Sequence, residues 1–294
     1  MFDVAIVGGG PAGLSAAVWL GRHLRSVVLV DSGDPRNWET RGVHGYLGLP
    51  DVTPADLRER GRTEAKRYGA SLIDGCVDKV DSDDDEPFQL TLEDGRTYLG
   101  RRLLLAIGIK DIWPDVPGLE RCYGETVHHC PNCDGYETRH CKTVVIASGA
   151  KAVGMAMDLT TWTKDLLICT HGAEPNIKAD DLLLLDRANI PVLSDRILSL
   201  VSNEGRLEAL VLQDGRELDC DRLYFAIGQY PADDLGARLG CKRDEDGLIL
   251  VDDGYHTSVP NIFAAGDIIP GPHLAVAAAA DGAIAALAIH RSLD

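Results

Sequence analysis

The sequence predicts an α/β protein built from two copies of one kind of fold, and three observations carry that reading. The first 31 residues alternate strand, helix and strand around a glycine triplet. A second stretch, KTVVIASGAKAVGMAMDLTTW at 142–162 followed by DLLICT, alternates in the same way. The two halves also rhyme: TLEDGRTYLGRRLLLAIG at 91–108 matches VLQDGRELDCDRLYFAIG at 211–228. Each is a strand, an Asp-Gly turn, a strand and a buried strand closing on Ala-Ile-Gly, which makes an internal repeat.

DVAIVGGG reads as a buried parallel strand, PAGLSAAVWLGRHLR as a helix, and SVVLVDS as a second strand ending near Asp31. Gly8, Gly10 and Gly13 form G-x-G-x-x-G at the strand-to-helix turn. Gly8 permits the tight turn, Gly10 lets a pyrophosphate approach the backbone, and Gly13 lets the helix pack on the strand. The free N–H groups and dipole of the helix start favour an anion there. Asp31 stands where a carboxylate would accept from a ribose hydroxyl. Strand, glycines, helix, strand and acid together indicate dinucleotide binding.

DSGDPRNWETRGVHGYLGLPD is rich in turn formers and reads as a long loop of the kind that covers a ligand. SDDDEP at 82–87 reads as a solvated hairpin tip or loop, and FQLTLEDGRTY as a hairpin. In the second βαβ candidate the turn ASGAKA keeps only Gly149 of a fingerprint. Near the C-terminus, NIFAAGD is a strand ending on Gly266 and Asp267, and an Ala-rich helix follows from about Leu274.

The 294 residues suffice for two domains, and a composition 45% hydrophobic and 26% charged is ordinary for a soluble globular chain. No apolar run reaches the ~18 residues a membrane span needs. MFDVAIVGGG has no basic segment before its apolar run, so it reads as a strand rather than a signal peptide, and a cytoplasmic location is expected. With 46 acidic against 29 basic residues the formal charge is −17, which argues against nucleic acid and anionic membrane as partners.

Among eight cysteines only Cys130 and Cys133 have close motif spacing, in VHHCPNCDGYE. That spacing can hold a metal, form a structural staple or shuttle electrons. Zinc needs four ligands, and His128 and His129 are too close together to join the pair easily, while Cys141 has no motif partner. The remaining cysteines read as buried apolar residues or unremarkable thiols. Taken alone, the two histidines read as a satisfied loop pair.

Over essentially its whole length the chain resembles the low-molecular-weight thioredoxin reductases and their relatives. The residues that carry the resemblance are GGGPAG at 8–13, LLLAIG at 103–108 before Pro114, Pro117 and Gly118, CPNCDG at 130–135, FAIGQYP at 225–231 and TSVPNIFAAGD at 257–267. It implies an α/β fold of two Rossmann-like (three-layer ββα/βα) dinucleotide-binding domains, the second inserted in the first. The FAD domain would span 1–112 and 228–294, with the dithiol domain at 113–227. Gly8, Gly10, Pro11, Ala12 and Gly13 would hold the FAD pyrophosphate, Asp31 the adenosine ribose, and the Val77 backbone the adenine. Gly108, Gly266 and Asp267 would line the cofactor. Ala275 would approach the flavin pyrimidine, where a helix N-terminus stabilises negative charge on the reduced ring. Arg36, Asn37 and His44 lie in the covering loop and would touch the isoalloxazine. Within PRN…HGYL that loop looks like a side branch that includes dithiol oxidases.

The resemblance also implies that Cys133 faces the flavin and Cys130 the external partner. A Cys-x-x-Cys at a helix start favours the reactive thiolate, and Pro131 stiffens the turn. Asp134 would handle the proton, assisted by His129 or His128. Trp162 is read as a core residue of the helix, with stacking on a ligand ring as the alternative.

Three departures from the family pattern stand out. Ala147 and Ser148 replace glycines at the second dinucleotide turn. Thr170, His171 and Gly172 stand where paired basic residues take the NADPH 2′-phosphate. His273-Leu274 replaces the usual Arg-Gln. The expectation is an FAD-dependent thiol–disulfide oxidoreductase without ordinary NADPH binding. Its partner would be a thioredoxin-like protein or a small dithiol or disulfide, and the family implies a homodimer. Alternatives are a dithiol oxidase using oxygen, an NADPH-dependent thioredoxin reductase, a ferredoxin-linked enzyme, a chain with a second FAD in the middle domain, and a redox sensor without turnover.

Overall fold

The computed structural model describes residues 1–38, 40–50, 52–82 and 87–294; most of the SDDDEP segment lies outside them. The chain forms two compact units. The first comprises 1–38, 45–110 and 229–294, and the second 40–44 and 111–228.

In the first unit, Phe2–Val7 (β1), Pro11–Arg22 (α1) and Val27–Asp31 (β2) are the expected βαβ, and β1 and β2 pair in parallel. Four of six β1 residues and all five β2 residues are buried, as a sheet covered on both faces requires. Thr53 caps Pro54–Arg67 (α2) by accepting from Asp56 N–H at 3.1 Å. Ser71–Asp74 (β3), Val77–Ser82 (β4), Phe88–Leu92 (β5) and Thr97–Leu105 (β6) complete the sheet order β3-β2-β1-β6-β5-β4. The nine-residue β6 merges what the sequence suggested as two successive strands. Its first half closes the β5 hairpin and its second half, RLLL, lies in the core beside β1.

The chain leaves this unit through Ile109–Ile112 (β7). The second unit follows with Leu119–Cys122 (α3), Val127–His128 (β8), Pro131–Asp134 (α4), Thr143–Ile146 (β9), Gly149–Leu159 (α5), Leu166–Cys169 (β10) and Ala179–Arg187 (α6). Val192–Leu193 (β11), Ile197–Asn203 (β12), Arg206–Leu212 (β13), Glu217–Asp219 (β14) and Arg222–Phe225 (β15) complete it. Its main sheet runs β11-β10-β9-β15-β8, all parallel, and β12-β13-β14 form a separate antiparallel sheet. Here the repeat does break into two strands: Asp221 and Arg222 turn their N–H groups to the Lys142 carbonyl between β14 and β15.

The return strand Gly228–Pro231 (β16) pairs with β7. Leu235–Arg238 (α7), Ile262–Ala264 (β17) and Ala275–Ser292 (α8) complete the first unit, with β17 parallel to β6. The Ala-rich face of α8 lets it lie against α1: a Cβ on Gly282 would meet Ala12 O at 2.0 Å. Ala12, Ala16, Ala17, Ala278, Ala285 and Ala286 fill this seam with side chains too small to hold the helices apart. Among the described residues no helix is long and apolar enough to cross a membrane.

Candidate functional site

At the first βαβ turn Gly8 adopts φ +108°, a conformation L side chains rarely adopt. A Cβ on Gly13 would lie 1.9 Å from Gly8 O, so the helix can close on the strand only without one. Gly10 caps α1 and Pro11 fills its first position, where a missing N–H costs nothing. No atom lies within 4 Å of a Cβ built on Gly10, so its backbone faces open space at the start of a 12-residue helix. The first turn holds no acid. The cradle therefore fits the pyrophosphate of FAD.

Asp31 ends β2 buried beside this turn, paired with Arg58 and, at 3.4 Å, with Arg62; Arg62 also holds Asp74 at 2.8 Å. Both arginines sit on α2, one turn apart, and nothing local in the sequence ties them to Asp31. Arg36 reaches Asp267 at 3.2 Å, joining two of the residues assigned to the cofactor. Gly266 has φ +80°, and its Cβ would strike the Ala12 side chain at 2.7 Å. Gly108 has φ +69° between β6 and β7, Val77 opens β4, Ala275 opens α8, and Asn37 lies in the turn after β2.

The second βαβ turn differs. In the register set by β1 and β9, Ala147 and Ala152 occupy the places of Gly8 and Gly13, where the first unit has no room for a Cβ. Gly149 adopts φ +61° instead of the extended conformation of Gly10. Its N–H donates to the Pro175 carbonyl at 2.7 Å. The segment after β10 is itself pinned. Thr170 Oγ1 donates to the Ala173 carbonyl, Ala173 N–H returns to Thr170 O, and His171 Nδ1 accepts from Ile197 N–H at 3.1 Å.

The dithiol turn lies wholly within the second unit. Cys130 and Cys133 form a disulfide with Cα atoms 5.3 Å apart. Cys130 is the N-cap of α4, its Sγ accepting from Cys133 N–H at 3.2 Å, and Pro131 follows as the first helical residue. This local bond stabilises sulfur-centred charge. A Cβ on Gly135 would lie 2.5 Å from both Pro131 O and the Trp162 ring, so Trp162 packs directly on the turn. The sequence reading placed Trp162 in the helix; α5 ends at Leu159, and the ring instead stands half-buried just beyond it.

The two histidines diverge. His129 Nδ1 meets Tyr123 OH at 2.8 Å, and its Nε2 faces Asp111 at 3.7 Å. Tyr123 in turn packs against Trp113 at 4.3 Å between centroids. His128 belongs to β8 and is 4% exposed, with neither ring nitrogen hydrogen-bonded among the described residues. The satisfied loop pair expected from the sequence thus holds for His129 but not for His128. His128 Nδ1 stands 3.5 Å from Asp134 Oδ2. Burial pushes His128 down to about 3, with Arg222, His129 and His44 acting in the same direction. Burial pushes Asp134 up to about 6, opposed by His44 and reinforced by Glu137. His44, assigned from sequence to the flavin, therefore lies in the electrostatic field of the dithiol turn. The segment 40–44 that carries it is tied to the second unit by an Arg41–Glu125 ion pair.

Of the other cysteines, Cys122, Cys169, Cys220 and Cys241 are buried, and burial lifts Cys220 to about 12. Such thiols are poor nucleophiles.

Residues 2–282 match the family described as pyridine nucleotide-disulphide oxidoreductase. The chain is 33% identical over 277 residues to thioredoxin reductase tcpT of Claviceps purpurea (strain 20.1), covering 90% of this chain and 86% of that one. It is 27% identical over 280 residues to a thioredoxin reductase of Listeria innocua serovar 6a, covering 91% and 86%. Among solved structures it resembles HlmI at a TM-score of 0.93 and 35% identity, over 99% of this chain and 92% of that one. It also resembles the thioredoxin reductase of Streptococcus pyogenes MGAS5005 at 0.91 and 25%, over 100% and 98%. With a flavin cradle in one unit and a Cys-x-x-Cys disulfide in the other, the chain belongs to the pyridine nucleotide-disulphide oxidoreductases, as a thioredoxin reductase-like, FAD-dependent disulfide oxidoreductase.

Proposed function

We propose that this enzyme passes two electrons between a dithiol or disulfide partner and FAD through Cys130–Cys133, without ordinary NADPH binding, and that it runs from the dithiol side. One observation carries the second half: the Gly149 N–H at the start of α5, where a nucleotide pyrophosphate would bind, is already given to the Pro175 carbonyl. Alanines at 147 and 152 and the lack of an arginine pair at 170–172 support it.

The chemistry is thiol–disulfide exchange. A substrate thiolate attacks Cys130 Sγ, the Cys130–Cys133 bond breaks, and Cys133 leaves as a thiolate. The second substrate thiol then displaces Cys130, giving oxidised substrate and the enzyme dithiol. Asp134 takes and returns the thiol proton, with His129, next to Cys130 in the chain, oriented by Tyr123 and Asp111. Bound FAD, held by Gly8, Gly10, Pro11, Ala12, Gly13, Asp31 and Asp267, supplies the two-electron store that restores the disulfide. With dioxygen as final acceptor, the net reaction is dithiol plus dioxygen giving disulfide plus hydrogen peroxide. The names of the relatives favour a second reading, in which a thioredoxin-like disulfide is the electron acceptor.

The test is Cys133→Ser in the FAD-loaded protein. The variant should stay yellow when a dithiol bleaches the wild type anaerobically. Bleaching at the wild-type rate would remove the pair from the electron path.

A further inference from the structure

Beneath the dithiol turn Thr138, Tyr224 and His128 form a buried polar cluster that the exchange chemistry does not use. Thr138 Oγ1 donates to the Asp134 carbonyl at 3.1 Å and lies 2.8 Å from Tyr224 OH. Its single proton is thereby committed, so Tyr224 donates to Thr138, and the chain of bonds fixes the Asp134 backbone. The Asp134 carboxyl then points at His128 Nδ1, 3.5 Å away. His128 tilts against the Tyr224 ring at 5.4 Å, more than nine-tenths buried and without a hydrogen-bond partner among the described residues. A buried imidazole with no well-formed bond at either nitrogen, and only a weak one to the Glu125 backbone, costs stability unless its neighbour engages it at some stage of the reaction. The charged groups that act on it are Arg222 on β15, His129 just after β8 and His44 on the 40–44 segment, while a hydrogen bond to the Glu125 carbonyl acts the other way; Glu137, after α4, acts on Asp134. All three of the groups acting on His128 are cationic or can become so, which opposes a charged imidazole.

We propose that His128 is a positioning residue for the proton step. As a neutral imidazole it accepts from the Asp134 carboxyl when that group is protonated and, in its other tautomer, donates to the carboxylate. Asp134 can then give and take the thiol proton without leaving a buried charge unpartnered. An imidazole serves both states because one nitrogen donates while the other accepts. The inference rests on reading Cys130–Cys133 as the redox pair. The carboxylate loses more than the acid when the partner is removed, since bonds to a charged group are the stronger ones.

The experiment is a carbon-13 titration of the Asp134 carboxyl in the FAD-loaded protein, assigned by its loss in Asp134→Asn. Anaerobic bleaching by dithiothreitol is followed alongside from pH 5 to 8. His128→Phe should raise the Asp134 midpoint by ~0.5–1 pH unit. It should also move the bleaching profile, as a ratio to wild type, in the same direction. His128→Gln, whose amide both donates and accepts, should restore the wild-type midpoint. Flavin content and melting temperature identify a variant that has merely unfolded, and His128→Gln then carries the comparison against wild type. An unmoved or lowered midpoint in His128→Phe, or a Gln variant that behaves like Phe, overturns the proposal. If the wild type titrates as described but no dithiol bleaches it, the redox reading fails instead.

Discussion

Replacing Asp134 by Asn should expose an acid sensitivity that the wild type conceals. Two opposed titrations meet at this site. Asp134 titrates at about 6 in the folded chain against an ordinary 3.8. Between those values the native state binds more protons than the unfolded one, and stability falls as pH rises. His128 is held down to about 3 against 6.5. Between those values the native state binds fewer protons, and stability is lost as pH falls. From about pH 6 to 4 the two slopes cancel. In Asp134→Asn only the histidine slope remains, at about 1.4 kcal/mol per pH unit, so the variant loses about 3 kcal/mol more than wild type over those two units. For a chain of 294 residues that is about 4 °C of melting temperature. The assay is scanning calorimetry of both FAD-loaded proteins at pH 6 and pH 4. All other carboxylates are common to the two, so the difference between their acid-induced drops isolates the pair. Equal drops would show that His128 is not held neutral by burial, and the electrostatic account of the site would fall.

Gly135→Ala should destabilise by roughly 1–3 kcal/mol and slow dithiol-driven bleaching, because its Cβ would press on Pro131 O and the Trp162 ring. Thermal melting and bleaching rates read the two effects, and Trp162→Leu in the same chain should recover part of the stability. Gly13→Ala should yield protein that purifies with less than half its flavin, since its Cβ would strike the Gly8 carbonyl beneath the cofactor turn; absorbance per chain measures this.

Much of the first unit was legible because its signals are local. The glycine spacing, the five buried residues of β2 and the Asp-Gly turns each specify an element without reference to the rest of the chain. The Cys-x-x-Cys turn was legible for the same reason, as a helix start stiffened by Pro131, although the capping role of Cys130 was not. What escaped was long-range. Arg58 and Arg62 reach Asp31 across 27 and 31 residues, and Tyr224 reaches Thr138 across 86. No pattern in a single sequence ties such residues together. VHHC gave no means of telling its two histidines apart, because strand β8 sends His128 inward by pairing with a strand almost a hundred residues later. The continuity of β6 was also hidden, since RRLLL and the hairpin strand before it are separated by nothing that a turn signal could mark or deny.

The central claim is that this dithiol flavoenzyme is driven by thiols rather than by a nicotinamide. The most direct measurement is anaerobic absorbance of the purified yellow protein on adding dithiothreitol or NADPH at equal concentration. The account predicts that dithiothreitol bleaches the flavin while NADPH leaves it oxidised on the same timescale. Rapid bleaching by NADPH would mean that the turn at Ala147–Gly149 releases Pro175 to admit the nucleotide, and would contradict it.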